Sequence, residues 1–121
     1  METLPIELMG LKNFPDIEIE EIQLDKKQVR IVGEMRIDSI IDSTLIEGLS
    51  ELIIAPQDGS EVVELWKQLD QDWIEVEALS MQLIYLIESQ ENGAVILEGS
   101  GENRTPIKII IPQAIISHRY L

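Results

Sequence analysis

The chain has 121 residues, 45% of them apolar, no cysteine, and 23 acidic against nine basic side chains for a formal charge of −14. That length suits a single domain spanning 1–121, and the apolar share suffices for a core built without disulfides or metal. The missing thiols exclude disulfides, thiolate catalysis and cysteine-type zinc sites, while the negative field disfavours nucleic acid and anionic membrane as partners.

The apolar stock is mostly Ile, Leu and Val. Phe14, Trp66, Trp73, Tyr85 and Tyr120 are the only aromatics, which weakens the case for base stacking or a carbohydrate platform. The opening METLPIELMGLKNF lacks the basic start and apolar run of a signal peptide, and no stretch reaches the length of a membrane span. A cytoplasmic location is expected. No internal repeat, low-complexity tract or linker is visible.

The first element is a hairpin. DIEIEEIQLD, 16–25, turns at KK and returns as QVRIVGEMRID, 28–38. In the second strand Val29, Ile31, Met35 and Ile37 share one face, and Arg30, Glu34 and Arg36 the other. The first strand changes phase between Ile17/Ile19 and Ile22/Leu24, and a bulge at Glu20–Glu21 returns both pairs to the core. Arg30 and Arg36 then face the glutamates of the first strand.

STLIEGLSELII follows, with Thr44 and Glu47 at capping-box spacing and Leu45, Leu49, Leu52 and Ile53 at helical spacing. A short helix over about 44–54 is predicted, ending at Pro56, with Gly48 costing it about 1 kcal/mol.

From Ser60 to Asn92 there is neither glycine nor proline. Val62, Trp66, Leu69, Trp73, Val76, Ser80, Leu83 and Ile87 follow a 4-3-4-3 spacing. WIEVEA, 73–78, alternates like a strand, but the wider spacing accounts for the whole segment. A long amphipathic helix over about 60–91 is therefore predicted, stopped by Gly93. AVILE (94–98) and IKIII (107–111), joined by GSGENRTP, form a second hairpin. QAIISHRYL is a last short strand or a docked apolar tail.

Chemistry-bearing residues are sparse. His118 is the only histidine, and its place near the terminus fits a surface residue better than a general base. The abundance of carboxylates makes no single pair diagnostic of metal or acid–base work. EGSGENRTP lacks the helix that a phosphate cradle opens onto. The bases Lys12, Lys26, Lys27, Arg30, Arg36, Lys67, Arg104, Lys108 and Arg119 form no stripe.

The fold class expected is α+β: one antiparallel sheet, made from the N- and C-terminal hairpins, covered by the short helix and the long one. The alternative is a mainly-β barrel in which WIEVEALSMQLIYLIE is a strand pair. The function expected is a small acidic non-enzymatic protein-binding module, of the immunity, inhibitor or chaperone kind, docked on a basic partner through Asp70, Asp72, Glu75 and Glu77. Two alternatives are carried. One is a self-associating structural protein whose Trp66/Trp73 stripe pairs with a second copy, and the other is a small-ligand enzyme using carboxylates. No catalytic residue, metal site or cofactor is assigned.

Overall fold

A period of two, rather than 3.6, governs almost every described segment. The structure, a computed structural model, describes residues 2–4, 16–38 and 45–121. Its strands are β1 (Glu2–Leu4), β2 (Asp16–Leu24), β3 (Val29–Asp38), β4 (Leu45–Pro56) and β5 (Glu64–Leu69). They continue as β6 (Asp72–Val76), β7 (Leu83–Ser89), β8 (Val95–Ser100), β9 (Pro106–Ile111) and β10 (Ala114–Tyr120). A 3-10 turn at Glu102–Arg104 is the one helical element among the described residues.

The strands form two antiparallel five-stranded sheets, ordered β1-β10-β4-β3-β2 and β6-β5-β9-β8-β7. Side chains alternate across each strand, so one face of each sheet turns inward. Val29, Ile31, Leu52 and Ile54 from the first sheet join Leu65, Leu97, Ile109 and Ile111 from the second in one continuous core.

The two sheets share one plan. Each holds a three-strand meander, β2–β3–β4 in the first and β7–β8–β9 in the second. β4 leaves the first sheet to become β5, which pairs with β9. β9 leaves the second to become β10, which pairs with β4. The halves thus exchange their exit strands, and β1 and β6 occupy matching outer positions. Local details repeat as well. The register shifts between Ile19 and Glu21 on β2, and between Ile84 and Leu86 on β7. A glycine faces each shift: Gly33 opposite Ile19, and Gly99 opposite Ile84. A Cβ on either would collide with the neighbouring backbone carbonyl, of Glu18 or of Leu83. Each hairpin turn also holds the opposite crossover, since Val63 N donates to Lys26 O (2.8 Å) and Ala114 N to Gly93 O (2.9 Å).

These observations overturn the α+β class. The expected short helix is β4, whose alternation Ile46, Ser50, Leu52, Ile54 faces inward; Thr44, its expected cap, lies outside the described residues. The expected long helix is β5, β6, β7 and their connections. Its 4-3 stripe is not a common face: Val62, Leu69, Trp73 and Leu83 are exposed, whereas Val63, Leu65, Met81, Ile84 and Ile87 are buried. Propensity does not decide against helix, because Glu, Gln, Leu, Lys, Ala and Met outnumber the β-branched and aromatic residues of the segment. Cross-strand pairing does, with β5 held between β6 and β9 and β7 paired to β8. Asp70 and Gln71 take positive φ, 50° and 75°, and so close a two-residue β5–β6 hairpin without any glycine.

The N-terminal hairpin is present as β2–β3, with its bulge, and the C-terminal one as β8–β9. They lie in different sheets, not in one. The mainly-β alternative has the right class but the wrong pairing, because β6 and β7 are the opposite edges of the second sheet. The tail is β10, seated between β1 and β4. Phe14, Lys12 and most of the opening segment lie outside the described residues. No helix among the described residues is long and apolar enough to cross a membrane.

Candidate functional site

In a two-layer fold the outward face of a sheet is ordinarily polar, since water covers it. The second sheet departs from this. Its register aligns the outward side chains in rows: Glu64–Ile110–Ile96–Glu88, then Glu75–Trp66–Lys108–Glu98–Leu86. Beyond them, Trp73 stands beside Gln68, and Ser100 beside Pro106. The bulge on β7 carries Tyr85, whose hydroxyl donates to Ser100 Oγ at 3.1 Å.

Lys108 therefore stands at the centre of this face between Trp66 and Glu98, with Ile110 and Ile96 in the next row, Trp73 and Leu86 on the edge strands, and Glu64, Glu75 and Glu88 at the row ends. Trp73 remains 39% exposed and Tyr85 61%. Trp66 Nε1 donates to Glu64 at 3.2 Å, which fixes its ring against the sheet. Lys108 Nζ lies 4.6 Å from the centre of the Trp73 ring, a cation held on an aromatic face. A shallow hollow of about 180 Å³ lies between Trp73, Tyr85, Glu98, Ser100, Arg104 and Pro106. A mixed face of indole, isoleucine and carboxylate, with a ring already accepting an ammonium group, suits a surface that is both greasy and cationic.

The central row on the outward face of the first sheet has the opposite character. Glu51 is only 3% exposed, yet it accepts hydrogen bonds from Arg30 Nε and, at 3.5 Å, from Arg119 Nη2, with Arg119 Nε in ion-pair range at 2.9 Å. Arg30 also reaches Glu21 at 3.1 Å. Burial by itself would raise the Glu51 pKa, but the two guanidiniums outweigh it and hold the carboxyl below the usual range. The carboxylate of Glu51 in turn raises the Arg30 pKa. These charges satisfy one another, and the network is structural.

His118 corrects its expected surface position. It points inward from β10 and is 2% exposed, with Nε2 2.9 Å from Ser50 Oγ and its ring edge-on to Tyr120. The Ser50 hydroxyl donates to Gly48 O at 3.1 Å, which leaves its oxygen to accept from Nε2–H. Ser50 is fully buried, so a substrate does not reach that oxygen.

The sequence-derived residues are brought together, though not as expected. Asp70 sits in the β5–β6 turn, Asp72 opens β6, Glu75 lies in the central outward row, and Glu77 follows β6 at 3.9 Å from Lys26 Nζ. All are exposed, along one edge hairpin. Trp66 and Trp73 make no helical stripe; they lie on adjacent strands of the same outward face. Tyr85, Lys108 and Glu98 were not singled out from the sequence. Reading PIKIII and VILEGS with a period of two places Lys108 and Glu98 outward, which is the signal that finds them.

Among the described residues no group of three or more His, Asp or Glu is placed to hold a metal ion. No protein-family model, curated protein or solved structure matches the chain.

Proposed function

We propose that this protein is a small acidic binding module, non-enzymatic, which docks on a basic protein partner through the outward face of its second sheet. The observation that carries the proposal is the outward face of the second sheet, where the half-buried Trp66 and the exposed Trp73 lie near Glu75 and Glu98, which make no ion pair, with nothing packed over them among the described residues. Apolar area supplies the affinity, and the surrounding carboxylates select a positively charged partner and speed encounter with it. The charge of −14 extends that field over the whole molecule.

Trp66 and Trp73 are the only tryptophans, and both belong to this face, so intrinsic fluorescence reports its occupancy. A short peptide of alternating lysine and leucine is the probe. Its binding shifts the emission, and its association slows steeply as added salt shortens the Debye length from ~10 Å toward ~3 Å. Unchanged emission, or an on-rate indifferent to salt, defeats the proposal. The exposed Trp73 and Tyr85 also keep a second reading in view, self-association through the same face. Sedimentation of a stable dimer in which the tryptophans are shielded decides for that reading.

A further inference from the structure

We infer that the partner offers an extended basic strand, which adds to the second sheet along the free edge of β6. This rests on the proposed binding of a basic partner and specifies how that binding occurs. A sheet edge is a row of unpaired backbone donors and acceptors, and folded proteins blunt such edges unless they use them. Among the described residues there are four edge strands, β1, β2, β6 and β7. β1 has three residues, and β2 and β7 are each broken by a register shift. β6 alone is both longer than β1 and regular, pairing with β5 without a shift from Asp72 to Val76. None of its residues is buried.

The tight β5–β6 turn fixes which backbone groups are free. A two-residue loop makes the flanking Leu69 and Asp72 a mutually hydrogen-bonded pair, and such pairs alternate along the ladder. Asp72, Ile74 and Val76 therefore turn their N–H and C=O groups toward β5, while Trp73 and Glu75 turn theirs outward. Side chains beside that edge suit an incoming strand. Trp73 on one face and Ile74 on the other are 39% and 41% exposed, so an added strand meets an apolar neighbour on either side.

Charge chooses the occupant. Asp70, Asp72, Glu75 and Glu77 flank the edge, no base lies between residues 70 and 77, and of the spatial neighbours Lys26 reaches Glu77 at 3.9 Å while Lys108 lies over Trp73, which leaves the carboxylates in excess. A second copy of β6 would set these carboxylates against their own kind, which is destabilising. A strand carrying lysine or arginine complements them, and backbone hydrogen bonds along β6 supply the register, as in other cases of strand addition.

The experiment compares two peptides of equal charge. One alternates lysine and valine; the other carries prolines in place of its central valines and cannot pair as a strand. Hydrogen exchange followed residue by residue gives the readout. The alternating peptide protects the amides of Trp73 and Glu75 and binds about tenfold more tightly than the interrupted one. Two variants, Glu75→Ala and Glu75→Pro, remove the same charge, but only the second removes an outward N–H. Proline is tolerated at an edge where its missing N–H faces solvent. Glu75→Pro loses the β6 protection, whereas Glu75→Ala keeps it with weaker, salt-dependent binding. Equal binding of both peptides, or protection confined to other strands, overturns strand addition and leaves the basic-partner proposal standing. Binding of neither peptide overturns both.

Discussion

The outward faces of the two sheets can be compared position by position, because the shared strand plan sets their central rows in correspondence. Across the first sheet the row reads Glu21–Val32–Glu51–Arg119, and across the second Leu86–Glu98–Lys108–Trp66. In the first, a buried glutamate at the centre is clasped by two arginines. In the second, the central position is Lys108, which leans over Trp73 and leaves its glutamate neighbours without an ion pair among the described residues. One scaffold thus carries a central row whose charges are satisfied within the molecule and a central row whose charges and rings remain available, while Glu18, Glu34, Arg36 and Glu47 lie exposed farther along the first face. A neutralised cluster is costly to break by removing one partner; unneutralised charge around apolar surface is what a partner can use.

The correspondence of the halves is broken most severely at its glycines. Gly33→Ala and Gly99→Ala each drive a methyl group into a backbone carbonyl, and each is expected to cost about 3 kcal/mol, seen as a lower urea midpoint. Similar losses at both positions support the equivalence of the halves, whereas an effect at one only would refute it. Next comes the first-sheet network. Glu51→Ala leaves two guanidiniums without their shared acceptor, and a smaller loss than at the glycines is expected in the same assay, because water reaches both arginines.

The same carboxylate yields a pH test with a definite sign. Its pKa is depressed in the folded state, so its contribution is complete above the ordinary carboxylate range and is lost as pH falls through the folded value. Denaturant midpoints measured from neutral pH into acid should fall less for Glu51→Gln than for the wild type. The second sheet responds differently. Lys108→Ala removes a cation–ring contact worth about 0.5–1 kcal/mol, yet it should strengthen binding of the lysine-rich peptides, because it removes a competing cation from the face. Trp73→Ala, on the exposed edge, should change stability by less than about 1 kcal/mol and weaken the same peptides about tenfold. A Trp73 variant that loses stability but not binding would assign the ring to the core.

How far the sequence carried this reading varied with the kind of signal. In β3, Val29 and Ile31 alternate with Arg30, and the phase change at Glu20 could be seen because two apolar pairs fell on opposite parities. In 60–91 the period was ambiguous. A 4-3 spacing of Val62, Trp66, Leu69 and Trp73 mimics a helix when apolar residues also line the outward face of a sheet, as Trp66 and Trp73 do. The turn that resolves the ambiguity rests on Asp70 and Gln71, and the second is no usual turn former. The repeat was hidden for a related reason. Val29, Ile31 and Gly33 correspond to Val95, Leu97 and Gly99, but the outward residues between them differ.

Composition and local alternation by themselves determined the excess of negative charge, the self-sufficient aliphatic core and the strands whose polar residues fall strictly every second position. These depend on residue counts and on neighbours a few places apart. Only the tertiary structure decided that the halves exchange strands, that Arg30, Glu51 and Arg119 neutralise one another, and that Trp66, Trp73, Tyr85, Lys108 and Glu98 share a surface. Those relations join residues far apart in the chain, and it is cross-strand register, which no local pattern encodes, that brings them together.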